Sequence, residues 1–413
     1  MSGSLSSGQL NYLIWRYLQE SGFALSALAL DKDANVSALE EELTTTPPGE
    51  LVRLVLKGRI MSEIEDNFNE ETVKVPNLEE LITLTGSRCM KLIGNSLILG
   101  GEEKVEIIRS ANDNSDTKPI QALIDGQATV IGCCNMQNIF AVGTSSGQLR
   151  VWDLSGTLNR VLNLHTSPLC IIEFNKHGTH LVTVDISGVI GVWDGSNLVS
   201  QTRVHGGVIE AVWIDARTLA ISCKDAISVY KLDLTHARTE FHGHGAPISC
   251  LGFDAHSSHL LASGSDDGVV NIWYGRSAGP IRTLHGPGSV CSLTWLPCLV
   301  GSIVAGADSP ISSKLLVGYN NSVVCWNLDN TAHEGVMEWK IQLKSPLMFI
   351  EASQKKMVVV TTQELRAYSI DNLKFAELIG EWPCEETTGV VLCDDDNRVV
   401  VSSRHATKIL RLM

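Results

Sequence analysis

The chain has 413 residues and carries 32 Lys and Arg against 46 Asp and Glu, a formal charge of −14 at pH 7. That balance excludes a nucleic-acid binder that works through a basic surface, and it favours basic partners, histone tails among them, through encounter rate and specificity. No run of eighteen apolar residues occurs and the opening Met1–Gly8 lacks the basic start and apolar stretch of a signal peptide, so neither a membrane span nor secretion is expected. Eleven cysteines are scattered without a Cys-x-x-Cys pair, which points to reduced thiols rather than a disulfide framework or a zinc site.

The charge is uneven. Residues 1–80 hold fourteen acidic and six basic side chains, and their apolar period is helical. Ser6 and Gln9 fit a capping box at a helix start. Leu10, Leu13, Ile14, Tyr17 and Leu18 then form the stripe of an amphipathic helix, and Gly22 supplies a stop. A second helix follows through Phe23, Leu25, Leu28 and Leu30. Two short helices cannot bury this much apolar surface alone, so Leu10, Leu13, Ile14, Tyr17, Leu18, Leu25 and Leu28 are assigned to self-association. The spacing resembles the LisH dimerisation motif, which implies a four-helix dimer. After Pro47-Pro48-Gly49, a further stripe through Leu51, Leu54 and Val55 is stopped by Gly58, and another short helix runs through Ile60, Met61 and Ile64. These six apolar residues either close dimers into a tetramer or form a groove for an amphipathic partner helix. Residues 1–68 are read as the helical oligomerisation domain and 69–79 as an acidic linker.

From residue 80 to 413 the pattern changes to short strands and turns: 81–84, 89–93, 96–99 and 105–108 come first. β-branched runs then close repeatedly on a bulky residue: Ile107, Trp152, Trp193, Tyr230, Trp273, Trp326, Tyr368 and Leu410. Their spacing is mostly about 40–45 residues, and Trp152-Asp153 and Trp193-Asp194 complete a dipeptide, the signature of WD40 propeller blades. Eight closures predict an all-β, eight-bladed propeller. The carboxyl end stops three residues after the eighth closure, so the last blade lacks its outermost strand; residues 81–84, otherwise without a partner, are expected to supply it and lock the ring.

The segment 241–275 is the most regular. Its His244, Ser263, Asp267 and Trp273 occupy the positions that form a hydrogen-bonded chain in WD40 blades, with Ser265 an alternative hydroxyl. That role is structural, since a buried His or Asp left unpaired is costly. His165, His205 and His285 precede other inner strands without a well-placed Asp, so networks there are expected to be partial or absent. Asp266, in the turn before Asp267, is placed on the propeller face as a contact for a basic peptide. No catalytic, metal or cofactor site is expected. Gly143-Thr-Ser145-Ser-Gly147 matches a nucleophile elbow, yet a strand follows at once where that motif requires a helix. His242-Gly-His244 lacks a third ligand, and Asp394-Asp-Asp396 lacks the Gly and Glu of a calcium loop.

The segments Gln9-Leu-Asn-Tyr-Leu-Ile-Trp-Arg-Tyr-Leu-Gln-Glu-Ser-Gly22, Pro48-Gly-Glu-Leu-Val-Arg-Leu-Val-Leu-Lys-Gly58 and Leu162-Asn-Leu-His-Thr-Ser-Pro-Leu-Cys-Ile-Ile-Glu-Phe-Asn-Lys-His-Gly-Thr-His-Leu181 resemble the transducin β-like corepressor subunits, above all the fungal member of a histone deacetylase complex. The resemblance covers essentially the whole chain. It implies a nuclear, non-enzymatic homotetrameric scaffold holding a corepressor protein and deacetylase subunits, without sequence-specific DNA binding. No Lys/Arg run supplies a nuclear address. The other classes that combine LisH with a propeller are dynein regulators and ubiquitin-ligase substrate receptors.

Overall fold

The computed structural model describes residues 7–21, 23–34, 36, 51, 78–109, 119–204, 207–235, 240–254, 259–274, 279–296, 314–328, 335–353, 355–370, 375–384, 386–393 and 397–412. They belong to two compact units, Met1–Lys74 and Val75–Met413.

In the first unit, Ser7–Glu20 and Ala24–Ala34 are helices. The first ends with Ser21 N donating to Tyr17 O at 2.9 Å and Phe23 N donating to Leu18 O at 2.8 Å, which satisfies carbonyls that lack an intrahelical partner. Tyr12, Trp15, Ala27 and Val36 make the core of the hairpin, with Leu18 and Leu30 packed against it. Ser6 of the expected capping box and the expected stop Gly22 lie outside the described residues, as do Leu54, Val55, Ile60, Met61 and Ile64. Leu51 is helical and half-buried.

The second unit is a β-propeller, built from six four-stranded sheets and one seven-stranded sheet. In the latter, the fifteen-residue strand Ile120–Cys134 pairs through residues 120–127 with Glu102–Ile108 and through 128–134 with Ile139–Thr144. Second strands such as Ile139–Thr144 and Lys314–Tyr319 are buried at every residue, whereas outer strands such as Asn197–Arg203 alternate between exposed and half-buried. The inner pair of each sheet is covered on both faces by its neighbours, so it needs continuous apolar sequence; an outer strand faces water on one side.

The apolar clusters accordingly lie between sheets. Cys250, Ala262 and Val270 pack against Leu315, Val317 and Val324 of the next sheet. Met90, Leu97 and Leu99 of the first sheet meet Cys393, Val400 and Ile409 of the last. All eight closing residues, from Ile107 to Leu410, are buried; seven sit on the third strand of their sheet and Trp152 on the sixth strand of the seven-stranded one.

The last sheet is completed by the strand Glu79–Thr85, which pairs antiparallel with Ala406–Arg411. It extends the expected 81–84 at both ends. Leu78, just before it, is 2% exposed and packs with Val399, Leu410 and Leu412. Glu79 pairs with Arg411 and Glu80 with Lys408, both at 2.9 Å, but such exposed ion pairs add little; the backbone ladder and Leu78 hold the strand.

Seven first strands skip one residue against their partner, at Thr129, Cys170, Ile209, Ser249, Cys291, Met348 and Thr388. Each is a β-bulge that leaves one side chain out of the ladder; in all but the long strand Ile120–Cys134, where it falls at the start of the second pairing, it lies near the start of the strand.

Deleting residues 1–85 should bare the edge of Ala406–Arg411 and give aggregating protein, while deleting 1–74 should leave a soluble, monodisperse propeller. Size-exclusion chromatography of the two truncations checks this, and equal behaviour would count against the closure.

Candidate functional site

The hairpin of the first unit separates the residues assigned to self-association. Leu10, Tyr17 and Leu28 are 44%, 38% and 65% exposed, and Ile14 and Leu18 are half-buried. Leu13, by contrast, is only 8% exposed, so it serves the fold of one chain. The side chain of Leu25 lies outside the described residues. Tyr12 and Trp15, absent from the sequence assignment, fill the hairpin core at 1% and 6% exposure. The helix therefore has two apolar stripes, an inner one through Tyr12 and Trp15 and an outer one through Leu10, Ile14 and Tyr17. Their 3.6-residue periods overlap, and the sequence alone does not say which stripe faces inward. Phe23, between the helices, is 56% exposed.

In the sheet that runs from Ile248–Phe253 to Arg282–His285, the Ser263 hydroxyl is 2.6 Å from His244 Nε2 and accepts the Trp273 indole N–H at 2.8 Å. Ser265 bonds elsewhere, to Ala246 O. The link to Asp267 departs from expectation. His244 Nδ1 stands 3.9 Å from Asp267 Oδ2, too far for a hydrogen bond, and has no other partner. Asp267 instead accepts the backbone N–H groups of Gly245 and Val269, both at 2.9 Å, and so ties the loop before the first strand to the hairpin turn.

The complete chain is in the sheet from Leu169–Phe174 to Asn197–Arg203, where a partial network or none was expected. His165 Nδ1 lies 2.9 Å from Asp185 Oδ2, His165 Nε2 lies 2.8 Å from Thr183 Oγ1, and Trp193 Nε1 donates to Thr183 Oγ1 at 2.9 Å. Two substitutions hid it from sequence reading. Thr replaces Ser, and the acid sits at the end of the second strand, where the other sheet has Ser265, two residues ahead of the Asp267 position. The carboxylate only accepts, so Nδ1 carries the proton, and Nε2 of the neutral ring accepts the Thr183 hydroxyl. Burial pushes His165 below the ordinary imidazole value against the opposing pull of Asp185, and does the same to His244 against Asp267. For Asp185, burial acts upward but is outweighed by hydrogen bonds from Ser187, His165 and the Val189 amide, which hold it below the usual carboxylate range. His205 lies outside the described residues.

Ser145 of the elbow-like pentapeptide sits in a turn between the strands Ile139–Thr144 and Leu149–Asp153, where its hydroxyl accepts the Gln127 N–H at 3.1 Å. Gly147 there has φ +84°, and a Cβ would come within 2.6 Å of the His165 carbonyl oxygen, so the glycine serves the turn. Burial pushes the thiols of Cys89, Cys133, Cys250 and Cys325 up to about 12, which leaves them protonated and unreactive at neutral pH. Among the described residues no three His, Cys, Asp or Glu side chains gather as a metal site would require. Asp394-Asp-Asp396 lies outside the described residues. Asp266 is exposed in the turn that follows Leu261–Ser265.

Residues 9–34 match the LisH model and residues 236–274 the WD40 model, described as the WD domain, G-beta repeat. The chain is similar to the SIR4-interacting protein SIF2 of Saccharomyces cerevisiae, 26% identical over 442 residues that cover 79% of this chain and 80% of that one. It is 22% identical over 378 residues to the F-box-like/WD repeat-containing protein TBL1X of Homo sapiens. That match covers 71% of this chain and 64% of the relative, so the chain spans just under two thirds of its length. Among solved structures, the C-terminal WD40 domain of Sif2 superposes with a TM-score of 0.72 at 21% identity, over 82% of this chain and 99% of that one. The computationally designed Ika8 protein gives 0.63 at 17% identity, over 81% and 99%. These two likenesses show the fold. The chain thus carries a LisH motif and WD40 repeats, consistent with the transducin β-like LisH/WD40 corepressor subunits that its sequence resembles.

Thr183→Val should cost on the order of 3 kcal/mol, because it strands the indole of Trp193 and the imidazole of His165 in the interior. The imidazole also sets a pH dependence. With its folded value below the unfolded one, the unfolded chain binds the proton first, and stability falls as pH drops below about 6.5. The Tm advantage of the native chain over His165→Gln should therefore be largest near pH 7.5 and shrink towards about pH 5.5. Calorimetric melts of both proteins check it; an advantage independent of pH would refute the neutral, buried imidazole.

Proposed function

We propose that this LisH–WD40 chain is a non-enzymatic scaffold subunit of a nuclear histone deacetylase corepressor complex and acts in transcriptional repression. The observation that carries the reading is the likeness to the SIR4-interacting protein SIF2 over about four fifths of both chains. The geometry fits a scaffold. Its polar chains at His165 and His244 are spent on joining loops to strands, and its outer LisH stripe lies open. We read the propeller as eight-bladed, the seven-stranded sheet being two blades that share Ile120–Cys134.

In this reading Leu10, Ile14, Tyr17 and Leu28 join copies of the chain into a homotetramer, and the segment Leu51, Leu54, Val55, Ile60, Met61 and Ile64 holds the corepressor protein. The propeller presents Asp266 to basic peptides such as histone tails. Several linked copies of a weak site gain on the order of 10²–10⁴ in avidity, which is what a scaffold on a repetitive chromatin template needs. A ubiquitin-ligase substrate receptor is the second reading, favoured by the words "F-box-like" in the name of the TBL1X relatives.

Light scattering of the full chain should give close to four times the chain mass of 44.8 kDa. Leu10→Asp with Tyr17→Asp, both exposed and so tolerated by the hairpin, should reduce it. Affinity purification of the tagged chain should recover deacetylase and corepressor subunits, and Val55→Asp should lose them. Recovery of ubiquitin-ligase or dynein components in their place would overturn the corepressor reading.

A further inference from the structure

The topology puts the start of every first strand and the turn between second and third strands on one face of the propeller. At the tip of each such turn stands the residue directly after the second strand. It is Lys224 after Thr218–Cys223, Asp266 after Leu261–Ser265, Asn320 after Lys314–Tyr319 and Arg404 after Arg398–Ser403. These are polar, as turn chemistry favours. After His180–Asp185 the same position is Ile186, 64% exposed.

Ile186 does not stand alone. Its N–H donates to Pro168 O at 3.0 Å, which holds it over the start of the first strand of its own sheet, where the bulge residue Cys170 is exposed. In the next sheet the bulge residue is Ile209, 46% exposed; of the other sheets' bulge residues, Thr129, Ser249 and Thr388 are polar and Met348, 45% exposed, is apolar but lies on a distant sheet. The strands that carry Cys170 and Ile209 pack side by side. Neither isoleucine adds to a core, since one caps a turn and the other has left the ladder.

Further round the same face the surface turns acidic. Asp225 follows Lys224 in the turn of the sheet that carries Ile209, and Asp266 tips the turn of the sheet after it. Both are exposed, and neither carboxylate is engaged in a hydrogen bond or ion pair among the described residues. The Lys224 carbonyl, by contrast, is held by Ile248 N at 2.6 Å, which fixes that turn against the next first strand.

We infer that this face docks an extended peptide with a large aliphatic side chain on Cys170, Ile186 and Ile209 and a Lys or Arg, a few residues away, on Asp225 and Asp266. The occupant follows from the two chemistries side by side: the apolar patch gains by burial, and the unpaired carboxylates set register and encounter rate for a cation. The inference rests on the propeller being the peptide-binding part of the scaffold and names the class of peptide.

The test uses the full chain and fluorescein-labelled Gly/Ser peptides of about twelve residues, long enough at up to ~3.5 Å per residue to cross the face. Each carries one Leu and one Arg at varied spacing; controls carry only one of them. Fluorescence anisotropy should find a spacing that binds at least about tenfold more tightly than either control. Ile186→Ser and Ile209→Ser should each remove most of that gain while leaving the thermal melt unchanged, as befits exposed side chains. Asp266→Lys, or roughly 0.5 M salt, where charges are screened beyond about 4 Å, should weaken only the Arg contribution. If no Leu–Arg peptide outperforms the controls, or if Ile186→Ser leaves affinity unchanged, the docking site is overturned. Deacetylase recovery with the tagged chain is unaffected by that outcome, so failure here is distinct from failure of the corepressor reading.

Discussion

The propeller depends on each sheet burying both of its faces against the next. No sheet has a core of its own: Cys250, Ala262 and Val270 are covered by Leu315, Val317 and Val324, and the pattern returns to the start where Met90 and Leu97 meet Val400 and Ile409. Such an arrangement is stable only when every sheet has a neighbour on each side, so the weakest point is wherever the chain ends. Here the strand Glu79–Thr85 from the start of the unit completes the sheet formed by its end. Pairing across more than three hundred residues carries a large loop-closure entropy, but that term grows only logarithmically with length, and the ladder with the buried Leu78 offsets it.

Against this apolar framework the polar chains at His165 and His244 solve a local problem. Each loop entering a first strand must be fixed relative to the hairpin of its own sheet. A buried hydroxyl, Thr183 or Ser263, can donate to one partner and accept from another, so it joins an imidazole to an indole without leaving either stranded. The acid completes the chain by different routes. Asp185 binds the imidazole, and Asp267 binds backbone amides on both sides of the gap. Both solutions hold the turn tips in place, Ile186 and Asp266 among them.

The two units divide the work of a scaffold. The helical hairpin spends Tyr12, Trp15 and Ala27 on its own small core and leaves Leu10, Tyr17 and Leu28 in water. Under the proposed reading a second copy covers this stripe, which symmetry makes self-complementary. The propeller, in contrast, buries its apolar side chains between its own sheets.

The sequence by itself determined the two opening helices and the propeller fold. A repeat period with bulky closing residues is a statement about one buried strand that recurs, and Ile107 to Leu410 are all buried on such strands, because a residue covered on both sides must be large and apolar wherever the pattern recurs. Ser263 with Trp273 was legible for the same reason, as was the partnerless strand near residue 80. The tertiary structure alone decided what depends on distance between sheets and on which way a face points. It moved the acid of one polar chain from the position of Asp267 to that of Asp185, since two places on the same turn can reach one imidazole. It chose Tyr12 and Trp15 over Leu10 and Tyr17 for the interior of the first helix, because adjacent stripes of one helix look alike until something packs on them. And it left Ile186 and Ile209, single apolar residues without a periodic signal, exposed on neighbouring sheets, one at a turn tip and one at a strand bulge, places that only the pairing of strands defines.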